Sequence, residues 1–113
     1  MGEISTKTIK ELTSPNRAVM ENAFNCIYNQ YASLVYYVSF EILKSKEDAE
    51  DIVNETFLKM YSNRNKLSND KSLKYLLMTI SKNLSINLYD NINTYGNSNR
   101  RRPSITNSDN RSI

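Results

Sequence analysis

Apolar side chains recur every three or four residues in three segments of the chain, which is the spacing of one face of an α-helix. In the first segment these positions are Phe24, Ile27, Tyr28, Tyr31, Leu34, Val35, Val38 and Ile42. In the second they are Ala49, Ile52, Val53, Thr56, Phe57 and Met60. In the third they are Leu73, Leu76, Leu77, Ile80, Leu84 and Leu88. Because each helix is apolar on one face only, the pattern predicts an all-α fold, a small helical bundle of three principal helices.

Polar residues mark where the predicted helices begin. Ser14 and Pro15 suit the start of the first helix, since serine caps a helix and proline fits its first turn. Ser45 is the expected cap of the second helix, which has acidic side chains in its first turn where the helix dipole favours them. Asn69 or Asp70 is the expected cap of the third helix.

The length of the chain suits one small domain. The helical pattern places this domain at residues 15–90, after an N-terminal extension at residues 1–14. Residues 91–113 are rich in Asn and Ser and lack an apolar period, so we expect a flexible basic tail there. The net charge of +3 arises in this tail, where residues 100–102 are consecutive arginines. This run either contacts nucleic acid or serves solubility.

Composition excludes several classes of function. The chain contains no histidine and a single cysteine, so neither a zinc site nor the common catalytic triads are expected. No other catalytic constellation is visible, and we interpret the chain as a non-enzyme without a metal or cofactor. Cys26 cannot form an internal disulfide and is expected to fill the core in a reducing cytoplasm. No apolar run approaches the roughly 20 residues of a membrane span, so no membrane partner is expected.

The stretch "KEDAEDIVNETFLKMY", residues 46–61, combines a dense acidic patch with the second apolar stripe. Asp48, Asp51 and Glu55 are three and four residues apart and therefore share one helical face. Like charges at this spacing repel each other, and a basic partner would relieve that small cost in stability. The alternative interpretation is a solvated surface without a partner.

Two motifs in a fixed order carry a resemblance to a known family. The run "DAEDIVNETFLK", residues 48–59, is followed after a loop by "LKYLLMTISKN", residues 73–83. Together they resemble region 2 of bacterial sigma factors of the extracytoplasmic-function (ECF) group, over residues 20–90. The resemblance implies a region 2 that binds core RNA polymerase and the non-template strand of the promoter −10 element in transcription initiation.

The resemblance also implies which residues make these contacts. In the family, the acidic helix docks on a basic coiled coil in the clamp of the polymerase largest subunit, and the matching residues are Asp48, Asp51, Asn54, Glu55, Leu58 and Lys59. The loop before the third helix and the outer face of that helix hold single-stranded −10 DNA, and the matching residues are Leu67, Ser68, Asn69, Asp70, Lys71, Lys74, Tyr75, Met78, Lys82 and Asn83. Amides and hydroxyls suit base edges, lysines suit phosphates, and an aromatic ring stacks on a base. An anti-sigma factor is a further candidate partner.

Two residues of the DNA set have alternative interpretations. Tyr75 neighbours Leu76 and belongs either to the core or to the DNA face. Asn83 lies beside the apolar stripe, where it either contacts DNA or caps or cross-links helices.

The sequence departs from the family pattern on its DNA side. Leu76 stands where the family usually has Trp, and Asn87 and Asp90 stand where it often has Asp and Arg. ECF factors also have a second helical domain that reads the −35 element, and this sequence reaches Ile113 without one, so that domain is expected to be absent. These departures favour the alternative of a stand-alone polymerase- or anti-sigma-binding module without promoter recognition. A helical scaffold with no role in transcription is a third interpretation.

Overall fold

The computed structural model describes residues 3–97 of the chain. This part forms four α-helices, which are α1 (Thr6–Glu11), α2 (Arg17–Leu43), α3 (Lys46–Ser62) and α4 (Asp70–Asn97). A short 3₁₀ turn, Arg64–Lys66, lies between α3 and α4, and no strand occurs among the described residues. The predicted all-α bundle with three principal helices is confirmed.

The three long helices pack against one another in pairs, and α1 packs on α2. Their apolar faces meet in one core, whose buried members are Ile4, Ile9, Leu12, Ala23, Ile27, Tyr31, Val35, Val53, Phe57, Met60, Leu73 and Leu77. Four polar residues are also fully buried, and these are Ser39, Thr56, Ser81 and Ser85. Each principal helix therefore contributes one buried face and leaves its opposite face to solvent.

The N-terminal segment is part of this core, which differs from the expected extension at residues 1–14. Ile4, Ile9 and Leu12 are 6%, 1% and 0% exposed. Ser5 caps α1 by accepting a hydrogen bond from the Thr8 N–H at 3.1 Å. The segment escaped prediction because a helix of six residues is too short to show a repeating apolar period.

The predicted helix starts agree with the structure at two of three places. The Ser45 side chain accepts from the Asp48 N–H and caps α3, as expected. The prediction for α2 was wrong, since the helix begins at Arg17 and its cap is Asn16 instead of Ser14. Asn16 Oδ1 accepts from two successive backbone N–H groups at 3.0 and 3.2 Å, which satisfies two donors that a serine at position 14 is too far away to reach.

Helix α4 continues to Asn97, so the expected boundary at residue 91 lies inside the helix. Extending an existing helix adds one backbone hydrogen bond for each residue ordered, so it does not require an apolar stripe. The remainder of the expected tail, including the three arginines at residues 100–102, lies outside the described residues.

Cys26 is exposed, which contradicts its predicted place in the core. The buried positions of α2 recur every four residues, at Ala23, Ile27, Tyr31, Val35 and Ser39. Position 26 precedes one of these positions and is therefore rotated about 100° away from the buried row.

Candidate functional site

The acidic patch of the sequence lies on the solvent side of α3. Asp51, Asn54 and Glu55 are exposed, and Leu58 beside them is 66% exposed. These positions are three or four residues apart, so their side chains share one helical face. We use the term acidic face for the predicted set on this helix, which comprises Asp48, Asp51, Asn54, Glu55, Leu58 and Lys59.

The packing of α3 fixes the direction of the acidic face. All six positions of the predicted apolar stripe on this helix are buried. Phe57, at 2% exposure, contacts the rings of Phe24 and Tyr28 with centroid distances of 6.2 and 4.8 Å. A rotation of α3 that hid the carboxylates would expose these apolar side chains, so the core holds the acidic face outward.

Charges along the acidic face have different local partners. Asp48 lies half-buried in the first turn, where its N–H bonds to Ser45 at 3.2 Å and the helix dipole favours its carboxylate. Glu55 Oε2 lies 4.0 Å from Lys59 Nζ, and an exposed pair of this kind contributes little to stability. Asp51 forms no ion pair within the described residues. The centre of the face therefore carries charge that the fold itself does not need.

Beside the acidic face, an open groove of about 470 Å³ runs between α2 and α3. Tyr28 and Tyr36 line its α2 side, and Glu50 and Asn54 line its α3 side. Because Asn54 also belongs to the acidic face, the groove and the face form one continuous surface. The groove could not be found in the sequence, since its two walls come from different helices.

Local hydrogen bonds hold the loop that precedes α4. Asn69 Oδ1 accepts from the Ser72 N–H at 2.8 Å, which confirms Asn69 as the cap. The Ser72 hydroxyl oxygen accepts from the N–H groups of Ser68 and Asn69 at 3.0 and 3.2 Å. Leu67 packs against the core, whereas Ser68 and Asn69 are exposed. The loop therefore presents its polar residues on a fixed backbone.

Asp70 has hydrogen-bond partners that no local sequence pattern predicts. Its Oδ1 accepts from the Ile4 N–H at 3.0 Å and from the Tyr31 hydroxyl at 2.5 Å. The resemblance implied a DNA contact for Asp70, whereas its carboxylate oxygen lies against α2 and the N-terminal segment. Tyr31 is 39 residues away along the chain, and no local pattern connects the two.

The outward side of α4 carries basic, amide and aromatic side chains. Its exposed members from the predicted DNA set are Lys71, Lys74, Tyr75, Lys82 and Asn83. Tyr75 is 73% exposed, so it is a surface residue and not part of the core. Met78 differs from the others because it is half-buried and packs against the core. Asn83 forms no capping or cross-linking hydrogen bond in the described part of the chain.

Two exposed apolar residues extend this side of α4 beyond the predicted set. Ile86 and Tyr89 are 45% and 46% exposed. Their spacing from Tyr75 and Lys82 places all four on one helical face. We use the term aromatic-basic face for Lys71, Tyr75, Lys82, Ile86 and Tyr89. The spacing was visible in the sequence, but the direction of the face became clear only once the buried row of α4 was known.

Residues 3–97 offer no cluster of three or more side chains suited to a metal ion. No helix in the same range is long and apolar enough to cross a membrane.

A comparison with protein-family models gives a match that includes both the acidic face and the aromatic-basic face. The model for Sigma-70 region 2 matches residues 27–92, which is more than half of the chain. The chain belongs to the Sigma-70 region 2 family. No curated protein and no solved structure matches the chain.

The Sigma-70 region 2 match contains both candidate surfaces. It covers most of α2, all of α3, the loop and α4 as far as residue 92. Helix α1 and Ile4 lie before the matched range. Sigma-70 region 2 is a non-enzymatic domain of transcription initiation factors. Membership of this family implies that the domain interacts with core RNA polymerase and promoter DNA.

Proposed function

We propose that this chain is region 2 of an ECF-type sigma factor that acts in the cytoplasm. In this proposal the acidic face of α3 docks on the clamp coiled coil of core RNA polymerase. The loop before α4 and the outward side of α4 then hold the non-template strand of the promoter −10 element. Support for the ECF assignment comes from the motif at residues 48–59, and support for region 2 comes from the family match.

The observation that supports the proposed contact with core RNA polymerase is the composition of the exposed side of α3. Asp51 and Glu55 supply negative charge, and Leu58, three residues beyond Glu55 on the same helical face, is an apolar side chain with 66% exposure. A solvated surface explains the carboxylates, but it does not explain an exposed leucine beside them. A basic partner helix with apolar side chains would neutralise the first two residues and bury the third.

The DNA half rests on the residue types of the loop and of α4. Ser68 and Asn69 offer polar groups on a fixed backbone, Lys74 and Lys82 offer positive charge, and Tyr75 offers a ring that is free to stack. These groups suit an unpaired strand, since stacking tolerates any base and lysines contact phosphates.

A double charge reversal tests the polymerase contact. We expect Asp51→Lys combined with Glu55→Lys to weaken binding to core polymerase at least about 30-fold, because two attractive contacts become repulsive. Helicity should not change, since both side chains are exposed. The matched control is Glu21→Lys with Glu41→Lys, which changes the net charge equally at two exposed carboxylates of α2 outside the acidic face.

A pull-down with core polymerase measures these variants, and circular dichroism measures their helicity. Undiminished binding of the Asp51 and Glu55 variant would refute the docking assignment. Equal loss in the control would show that net charge matters and that the acidic face does not. Polymerase binding without any binding of the −10 strand would instead favour the interaction module without promoter recognition.

A further inference from the structure

One oxygen atom joins three distant parts of the chain. Asp70 Oδ1 accepts from the backbone N–H of Ile4, 66 residues away, and from the hydroxyl of Tyr31 in α2. Ile4 and Tyr31 are each only 6% exposed, so burial in the core fixes the position of both donors. Asp70 is the first residue of α4 and directly follows the exposed loop residues Ser68 and Asn69.

Helix capping does not account for Asp70. The side chain of Asn69 already caps α4, and the Ser72 hydroxyl bonds to two N–H groups of the loop. The dipole of α4 favours an acid in its first turn, but a carboxylate beside a loop that binds a nucleic acid strand also repels phosphates. The Ile4 N–H and the Tyr31 hydroxyl donate hydrogen bonds to the Asp70 carboxylate and so hold its charged oxygen against α2 and the N-terminal segment.

We propose that Tyr31, Asp70 and the Ile4 N–H form a positioning device that holds the loop of residues 67–70 in the conformation that receives an unpaired base. This inference rests on the proposed binding of the −10 strand. It assigns to that binding three groups that do not contact the strand themselves. It also gives the N-terminal segment, which lies outside the matched family range, a role in strand binding.

The physical reason is the entropy of the loop. A loop that is already ordered loses little conformational freedom when it binds, whereas a mobile loop must be ordered at the expense of affinity. The local hydrogen bonds of Ser72 shape the loop, but they do not attach it to the rest of the fold. The bond from Tyr31 to Asp70 attaches it to α2, and the bond from Ile4 attaches it to the N-terminal segment.

Removal of one hydroxyl group tests this role. We expect Tyr31→Phe in the full chain, bound to core polymerase, to weaken binding of a labelled single-stranded −10 oligonucleotide about three- to tenfold, which is the size of a typical net hydrogen-bond contribution. Core polymerase binding should be unchanged, because the acidic face is intact. The matched control is Tyr37→Phe, which removes a hydroxyl from a 60% exposed tyrosine of the same helix and should leave both affinities unchanged.

Two substitutions of Asp70 separate positioning from stability alone. Both donors use Oδ1, and asparagine keeps an oxygen at that place, so Asp70→Asn should retain the affinity for the strand within about twofold. Asp70→Ala removes the acceptor and should weaken strand binding as Tyr31→Phe does. If Ala and Asn have the same effect, the accepting oxygen is irrelevant and the proposal is overturned.

Amide hydrogen exchange of residues 67–70 distinguishes failure of this inference from failure of the proposed function. We expect faster exchange there in Tyr31→Phe and in Asp70→Ala, with the rest of α4 unchanged. Faster exchange with an undiminished affinity for the strand overturns the positioning role and leaves the proposed function standing. If the unmodified chain with core polymerase binds no strand at all, the DNA half of the proposed function fails and the positioning role fails with it.

Discussion

Tyr31 combines burial with a charged partner. It is 6% exposed, and its hydroxyl donates to the carboxylate of Asp70. Burial raises the pKa of the Tyr31 phenol, and the hydrogen bond to Asp70 and the negative charge of Asp70 raise it further. All three causes favour the neutral phenol, which is the form that donates the hydrogen bond.

This pKa shift predicts a dependence of stability on pH. The pKa of Tyr31 is higher in the folded state than its unfolded value of about 10, so the folded state binds this proton more tightly. Its contribution is complete below pH of about 10 and is lost as the pH rises through the folded pKa. We expect the difference in unfolding free energy between the unmodified chain and Tyr31→Phe to shrink above that pH.

Denaturant unfolding of both proteins on either side of this pH measures the difference. Titration of lysines and of the other tyrosines affects both proteins and cancels in the comparison. A difference that stays constant as the pH rises would show that the Tyr31 hydroxyl has no such role.

The sequence predicted single residues well where neighbours along a helix decide their environment. All six stripe positions of α3 are buried, because helical periodicity needs only local spacing. The prediction for Cys26 was wrong, because cysteine is usually a buried residue type but position 26 lies off the buried row of α2. The contact between Tyr31 and Asp70 could not be predicted, because it depends on how α2 and α4 pack.

At the scale of elements, only two residues, Lys44 and Ser45, connect α2 to α3. Helix α2 ends at Leu43 and α3 begins at Lys46. Lys44 has a left-handed backbone, with φ 55° and ψ 26°, and its N–H donates to the Phe40 carbonyl at 2.7 Å. Ser45 is extended and caps α3. These two residues set the direction in which α3 leaves α2, and the packing of the buried stripe of α3 then holds the acidic face outward.

The left-handed backbone predicts that Lys44→Gly stabilises the fold. The left-handed conformation costs a residue with a Cβ atom about 1–2 kcal/mol in the folded state. Glycine avoids this cost but loses about 0.4–1 kcal/mol of stability, because its unfolded chain has more conformational freedom. We expect the unfolding free energy to rise by about 0.5–1 kcal/mol.

Urea unfolding measures this change, and Lys44→Ala is the control. Alanine keeps the Cβ atom and also loses the exposed ion pair of Lys44 with Glu41, so it should give no gain. A loss of stability in the glycine variant would show that the left-handed backbone of Lys44 carries little strain.

Two helix starts were predicted at their capping side chains, whereas the starts of α1 at Ser5 and of α2 at Asn16 were missed although side chains cap them too. Ser45 and Asn69 are caps in both the sequence and the structure. Helix α1 is too short for a period, and the sequence of residues 91–97, where α4 continues, lacks an apolar period. The hydrophobic pattern therefore predicted the bundle but not the segment that fastens its N-terminus.

At the scale of the whole molecule, the exposed carboxylates of the acidic face and the exposed lysines of α4 lie on different helices. Asp51 and Glu55 face outward from α3, whereas Lys74 and Lys82 face outward from α4. The two helices pack on each other and on α2, so the core holds both surfaces in a fixed relation. The net charge of +3 reveals nothing of this separation. A basic protein surface and a nucleic acid strand can thus be bound at once without competing for the same residues.

The separation predicts how binding of a single-stranded −10 oligonucleotide depends on salt. Three exposed lysines, Lys71, Lys74 and Lys82, lie on the outward side of α4. Log affinity falls as log salt rises, and each phosphate neutralised on a single strand adds about 0.7 to the magnitude of this slope, so these lysines give a magnitude of about 2. If the arginines at residues 100–102 also bind, they add about 2 more.

Fluorescence anisotropy at several salt concentrations measures this slope for the full chain and for a variant with serine at residues 100–102. We expect the serine variant to keep a slope of about 2, and Lys74→Ala in that background to lower it by about 0.7. Duplex DNA should bind no better than the single strand, because stacking on Tyr75 requires an unpaired base. An affinity equal for both DNA forms and unaffected by Lys74→Ala would mean that the arginines alone attract DNA without recognition. The polymerase-binding module without promoter recognition would then be the better description of the chain.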